Sequence, residues 1–194
     1  MSIKTYRILC SAALSVHAFG AFAGESHYQP TLRQAIALSQ LPPKLFPGLP
    51  PFIVDELETL GCNIGQSYLR SGVPNALRGE FLQSGQLDWV VLCSEDQNLS
   101  VLIFPGGGSP AQAIVGPWED EVSVEMLAPD RWRWGFQHFI QAVGEREVHG
   151  YHRAYGGPKP PPITHAAIEV YCCEKGSTVY YWHEGAWLEL SGAD

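Results

Sequence analysis

Short apolar runs separated by turn residues recur from about residue 76 to residue 190, and they limit the possible folds more than any other feature. The runs are Leu77–Leu82, Trp89–Cys93, Leu99–Phe104, Ile168–Cys173, Thr178–His183 and Ala186–Leu190. Runs of this length joined by short polar turns are typical of antiparallel hairpins. We therefore expect residues 61–194 to form a β-rich body, built as an antiparallel sheet, a small sandwich or a partial barrel.

The residues before this body favour two short helices. Thr31–Gln40 carries apolar side chains among good helix formers, and the Pro42-Pro43 pair ends it. Phe52–Leu60 has one apolar side, and Gly61 supplies a C-terminal stop. Residues 24–60 are thus predicted to be a Pro-rich helical cap within the same single domain. The expected fold class is α+β, with short N-terminal helices and a β-rich remainder.

The first residues have three zones in the order of a secretory signal. Lys4 and Arg7 form a basic start, Ile8–Phe19 is mostly apolar, and Ala21-Phe22-Ala23 has the small-x-small pattern of a cleavage site. The apolar zone is shorter than the roughly 20 residues of a membrane-spanning helix. We predict that residues 1–23 are a cleaved signal peptide and that no membrane span remains. The mature domain is then periplasmic or secreted.

Net charge excludes some partners. The chain has 12 Lys and Arg against 20 Asp and Glu. Loss of the signal removes two cations and leaves a formal charge of −10. Such a domain is repelled by phosphate backbones and anionic headgroups, so a nucleic-acid partner is not expected. An unknown protein or a cell-envelope ligand remains as the expected partner.

Four cysteines stay after signal cleavage, and an oxidising compartment favours disulfides in one of three pairings. We expect Cys62 to pair with Cys93, which closes a loop of about 30 residues worth roughly 3 to 4 kcal/mol. Cys172 and Cys173 are adjacent, so a strand would point them to opposite faces. They either pair with each other, stay as buried thiols, or bind a metal with a histidine.

No metal and no cofactor are expected from the spacing of these residues. The chain has neither a C-x-x-C nor an H-x-x-x-H pattern to complete a site with Cys172, Cys173, His165 or His183. The glycine-rich loop 106–109 follows an apolar run but lacks a nucleophile elbow such as G-x-S-x-G elsewhere in the chain. We interpret it as a flexible loop.

Four ordered segments resemble an uncharacterised family of secreted bacterial proteins. They are GCNI at 61–64, RGEF at 78–81 followed by GQLDWVVLC at 85–93, YGGPKPPP at 155–162, and GAWLELSGAD at 185–194. The resemblance covers the chain from about residue 52 onward. It implies that Cys62 and Cys93 belong to one module, and it implies no activity. After the proline run the family has an acidic stretch where this chain keeps His165 and few acids, so calcium is not expected there.

His165 is the first candidate ligand-binding residue. It follows Pro160-Pro161-Pro162, and a stiff polyproline run holds the next residues at a defined position. The alternative is that His165 packs against this rigid arm. Tyr155 is a second candidate, close to His149 and His152. The glycines around these two histidines argue against a helix that would present both to one ligand, so we interpret them as surface residues.

Asp88 and two tryptophans complete the candidates. The segment 79–89 also resembles the loop of an integrin-type propeller blade, but Asp88 is the one acid near its calcium-binding positions, so we interpret it as a turn-capping residue. On a strand, Trp132 and Trp134 would share one side. Such a platform stacks against sugar rings, or else it is a core ladder between two sheets.

Three functions follow from these patterns. We expect first an exported, non-enzymatic module that binds a protein or a cell-envelope ligand. The second hypothesis is a periplasmic hydrolase with a site near His165 and the Gly106–Ser109 loop, using Asp88 or Glu169 as its carboxylate. The third is an aromatic glycan-binding surface, and the alternative to all of them is a purely structural or assembly role. Sites assemble from distant residues, so the absence of a local motif does not decide between them.

Overall fold

The computed structural model describes residues 31–46, 48–67, 75–95, 98–108, 110–119, 122–128, 131–172 and 175–194. The predicted signal peptide, residues 1–23, lies outside these ranges. Within them, no helix is long and apolar enough to cross a membrane.

Three α-helices and twelve β-strands make up the described residues. The helices are α1 Leu32–Leu38, α2 Pro51–Thr59 and α3 Glu145–Tyr155. The strands are β1 Gln40–Leu41, β2 Asn63–Gly65, β3 Ala76–Gly79, β4 Asp88–Glu95, β5 Asn98–Phe104, β6 Gln112–Glu119, β7 Val122–Ala128, β8 Arg131–Phe136, β9 His138–Val143, β10 Ala167–Cys172, β11 Gly176–His183 and β12 Ala186–Ser191.

Two antiparallel sheets face each other. The first has the order β1-β2-β4-β5-β6 with β3 also paired to β4, and the second has the order β12-β11-β10-β9. Strands β7 and β8 form a separate hairpin. Both sheets contribute side chains to one core, with Leu92 and Val101 from the first sheet and Ile140 and Ile168 from the second. Phe81 from the turn before β4 and Phe136 from β8 complete it. The predicted α+β, β-rich class is confirmed, and its sandwich alternative is the one observed.

Each sheet also carries a helix on its outer face. Ile53 and Leu57 of α2 pack on the first sheet, and Val148 of α3 packs on the second. Strand β4 shows the result. Its Val90 faces the core between the sheets, and its Val91 faces α2. A strand buried on both faces needs a continuous apolar run, as residues 89–93 provide.

The end of α2 aims Cys62 at the first sheet. Gly61 has a φ of 69°, which favours glycine. The amides of Gly61 and Cys62 donate to the carbonyls of Glu58 and Leu57, as in a Schellman motif. Cys62 then forms a disulfide with Cys93 of β4, and their Cα atoms are 5.4 Å apart. The expected Cys62–Cys93 pairing is confirmed. Cys173 lies outside the described residues.

Helix α3 corrects one expectation. The glycines near His149 and His152 were predicted to prevent a helix, yet Glu145–Tyr155 is helical throughout. Gly144 and Gly156 lie just outside its two ends, where glycine does not destabilise a helix, and Gly150 alone is internal. The Glu147 carboxylate accepts a hydrogen bond from the Gly144 amide at 3.2 Å and stabilises the first turn. One internal glycine costs about 1 kcal/mol, which burial of Val148 offsets.

Removing the disulfide tests how far the sandwich depends on it. We expect the Cys62→Ala/Cys93→Ala double variant to lose about 3 to 4 kcal/mol of unfolding free energy, because the unfolded chain regains the entropy of a 31-residue loop. Urea unfolding measures the change. Reductant should lower the stability of the wild type but not of the double variant. Equal midpoints for the two proteins would contradict the prediction.

Candidate functional site

Asp88 is a structural carboxylate at the start of β4. Its side chain is completely buried. One oxygen accepts from the amides of Phe81 and Leu82, both at 3.0 Å. The other accepts from Gln86 Nε2 at 2.7 Å and from the Gly106 amide at 2.8 Å. Four donors on one carboxylate agree with the turn-capping interpretation and leave no open oxygen for a substrate.

The turn that Asp88 organises also touches the segment of His165. Ser84 Oγ donates to the Thr164 carbonyl at 2.5 Å, and the Ala166 amide donates to the Glu80 carbonyl at 2.9 Å. The turn thus connects the two segments, because Asp88 binds two of its amides while Ser84 and Glu80 bind the residues on either side of His165. Gly106 is bonded directly to Asp88, whereas Ser109 lies outside the described residues.

His165 packs flat against Tyr181 of β11. The ring centroids are 4.5 Å apart at an interplanar angle of 19°. The Tyr181 hydroxyl in turn accepts from the Thr164 amide at 3.0 Å and donates to the Pro162 carbonyl at 3.3 Å. His165 thus packs on β11, and the tyrosine that it stacks against also binds the proline arm through the Pro162 carbonyl. Beside it lies an open depression of about 420 Å³, lined by residues 142–145 and 163–166.

The other candidates lie on different elements. Tyr155 is the last residue of α3 and is 51 % exposed. Trp132 and Trp134 lie on β8, opposite Met126 and Val124 of β7. Trp134 is half-buried. Their register puts both positions on one side of the hairpin. The glycan platform formed by the two rings stays a prediction.

A second buried carboxylate lies between the second sheet and α3. Glu169 of β10 is completely buried. It accepts from Gln141 Nε2 and Ser177 Oγ, both at 2.5 Å, and from the Tyr151 hydroxyl at 3.2 Å. The Ala193 amide adds a fourth donor at 3.3 Å. A buried polar side chain is stable when hydrogen bonds satisfy it, and through these bonds Glu169 ties α3, two strands and residue 193 together.

A cleft opens where the edge strand β6 of the first sheet faces β9–β11 of the second. Its volume is about 260 Å³. Aromatic rings, aliphatic groups, hydroxyls and one cation line it, with the side chains or backbone of Val115, Trp118, His138, Val170, Cys172, Lys175, Gly176, Ser177, Thr178 and Tyr180. This mixture of apolar surface and a few polar groups is characteristic of small-ligand sites.

Trp118 and Tyr180 line this cleft from different sheets. Trp118 is half-buried and meets the ring of His138 edge-on, with centroids 5.2 Å apart at 63°. Its Nε1 lies 3.5 Å from Nδ1 of His138, a long contact. Tyr180 is only 8 % exposed. Burial, and then the nearby carboxylate of Glu189, raise the pKa of Tyr180. Both tyrosine and tryptophan thus pack against the core while bordering the cleft.

The cleft is the part of the molecule that sequence reasoning missed. Its residues come from β6, β9 and the β10–β11 hairpin, so they form no local motif. Trp118 itself could have been noticed, because a tryptophan in a segment without clear periodicity lies either in the core or on a binding surface.

Among the described residues, no group of three or more histidine, cysteine or acidic side chains could hold a metal ion. No family model, no curated protein and no solved structure matches this chain.

Substituting Asp88 tests its structural assignment. We expect Asp88→Asn to lower the unfolding free energy by about 1–3 kcal/mol, because the new amide group turns a donor toward N–H donors in a buried place. Urea unfolding measures it. Asp55→Asn, at an exposed position of α2, is the matched control and should change stability by less than about 0.5 kcal/mol. Equal effects for the two variants would contradict a capping role.

The phenol of Tyr151 should lose its proton at a higher pH than an ordinary tyrosine does. Burial, and then the carboxylate of Glu169, raise its pKa to about 12. An unfolded tyrosine has a pKa near 10. The folded state therefore keeps a proton that the unfolded state loses, so this contribution to stability is complete below pH 10 and disappears between about pH 10 and 12.

Phenolate absorbance of the folded protein follows this titration. The difference between the wild type and Tyr151→Phe should develop only near pH 12. A difference already complete at pH 10 would show that Tyr151 and Glu169 do not interact as described.

Proposed function

We propose that this chain is an exported, non-enzymatic module that binds a cell-envelope ligand in the cleft between its two sheets. The lining of the cleft carries the proposal, since it combines the Trp118 ring, the Thr178 hydroxyl and the Lys175 ammonium group in one open space. Ligand sites join apolar surface with a small number of placed polar groups in this way. Trp118 packs against the core between the two sheets.

The size of the cleft supports a small ligand or the end of a larger one. Small-molecule pockets have volumes from about 300 Å³ upward, and 260 Å³ is close to this limit. A stable protein partner needs about 800 Å² on each side, which a cleft of this size supplies only in part. The ligand that fits best is a compact group that enters the cleft.

The two carboxylates of the hydrolase hypothesis do not favour catalysis. Asp88 and Glu169 are both completely buried, and each accepts four hydrogen bonds from protein donors. A general base must reach the proton that it removes. The oxygens of both side chains are buried and already bonded to protein donors in this arrangement.

Export is supported by two observations. The first is the three-zone pattern of residues 1–23, together with the resemblance of four segments to secreted bacterial proteins. The second is the disulfide between Cys62 and Cys93, since disulfides persist in oxidising compartments. Together they favour a periplasmic or secreted domain that meets its ligand outside the cytoplasm.

Lysine footprinting tests the proposed site without knowledge of the ligand. Residues 24–194 contain three lysines, Lys44, Lys159 and Lys175, and all three are exposed. We expect an envelope fraction to reduce acylation of Lys175 several-fold, because a ligand in the cleft shields its amine. Mass spectrometry of the labelled, disulfide-bonded domain gives the extent at each lysine.

Lys44 and Lys159 serve as internal controls and should label equally with and without the fraction. A cytosolic fraction of equal protein content is the second control. Protection of all three lysines would indicate non-specific adsorption. Unchanged labelling of Lys175 would reject the cleft as the binding site.

A further inference from the structure

We propose that the cleft takes the terminal sugar ring of an uncharged envelope glycan. This inference rests on the proposed function and names the chemistry of its ligand. Trp118 of β6 and Tyr180 of β11 line the cleft from different sheets, and Thr178 and Lys175 border it. Sugar rings present a flat C–H surface to an aromatic ring and hydroxyl groups at their rim, so they need this combination of walls and rim.

Trp118 provides the stacking surface. It is half-buried, whereas Tyr180 is only 8 % exposed, so Trp118 has more ring area to offer a ligand. Its edge-on contact with His138 fixes the direction of the indole. A ring that is held before binding loses little entropy when the ligand arrives.

The hydroxyl and amine groups of the cleft act as hydrogen-bond partners at the rim. Along β11, Ser177 turns its hydroxyl to Glu169 on the outer face of the sheet. Thr178 is next in the strand, so its side chain points the other way, toward the cleft. Lys175 lies in the turn before the strand and supplies up to three donors.

Charge around the cleft favours an uncharged ligand. Lys175 is the one lysine or arginine among the lining residues in the described part of the chain, and Glu189 of β12 is the register partner of Tyr180. The two charges oppose each other for any ionic ligand. The formal charge of −10 on the domain without its predicted signal repels acidic polymers further.

The cleft has room for one ring rather than a chain. Its volume of about 260 Å³ lies below the usual range for pockets that enclose drug-sized molecules. A terminal ring can enter from solvent while the rest of the glycan stays outside. Such a ring keeps neighbouring hydroxyl pairs, which periodate cleaves.

Chemical treatment of the envelope fraction tests the inference with Lys175 protection as the readout. The probe is the protease-digested fraction that passes through an anion-exchange column. We expect it to protect Lys175 as well as the untreated fraction does. Periodate oxidation of the probe should abolish the protection, because the ring that enters the cleft is opened.

Variants at Trp118 give a second readout by the amount of probe needed for half-protection. Trp118→Phe keeps an aromatic face and should need at most about threefold more probe. Trp118→Leu keeps apolar volume without an aromatic face and should need roughly tenfold more. Trp182→Phe, on β11 outside the cleft lining, is the matched control and should behave as the wild type.

The outcomes separate the two proposals. The uncharged sugar is overturned if the periodate-treated probe still protects Lys175, if protease digestion removes the protecting activity, or if that activity binds to the anion-exchange column. Each of these results leaves a cleft-binding module with another ligand. Equal losses for Trp118→Phe and Trp118→Leu would also overturn stacking. No protection of Lys175 by any fraction overturns both the ligand and the site.

Discussion

Strand β4 is fixed at both ends, and the rest of the sandwich is arranged around it. At its start the buried carboxylate of Asp88 collects four hydrogen bonds. Near its end Cys93 is covalently joined to Cys62, which the C-terminal motif of α2 presents. Between these points the strand is buried on both faces and pairs with β2, β3 and β5. If the strand shifted by one residue against its partners, the side chains that face the core between the sheets and those that face α2 would change places. The two fixed ends therefore also set the register.

In the second sheet, one buried side chain, Glu169, connects several elements of the fold. Glu169 lies on the face opposite to the cleft, and its hydrogen bonds reach α3 through Tyr151 and the last residues through Ala193. Gly192 permits this arrangement, because a Cβ there would meet the Ser177 carbonyl at 2.6 Å. The segment 185–194 is thus shaped by packing against β11. The two buried carboxylates thus each hold several elements of the fold together.

Much of this fold could be read from the sequence because it is local. Hairpins such as β4–β5 and β10–β11 have apolar runs and polar turns within about twenty residues, and the Gly61-Cys62 pair marks both a helix end and a bridge. The short strands β1 and β2 could not be predicted, since two or three residues become a strand only through their partner. Helix α3 was missed because glycine was weighed without the burial of Val148 that compensates for it.

The candidate site was harder to predict for the same physical reason. His165 and Asp88 stood out as single residues, and the structure gives both of them packing or capping contacts. The cleft unites Trp118, His138 and Tyr180, which are separated by twenty to sixty residues and share no motif. Only the facing of two sheets brings them together, and a pattern of local apolar runs carries no information about which sheet faces lie opposite each other.

The edge strand β6 of the first sheet is poorly suited to pairing with a strand of another molecule. Strand β6 pairs with β5 through register shifts, and Pro117 within it has no N–H to offer a further strand. An edge that is bent and lacks a donor is a poor template for another copy of the chain. This edge of the first sheet is therefore a poor starting point for fibres or dimers that grow by strand addition.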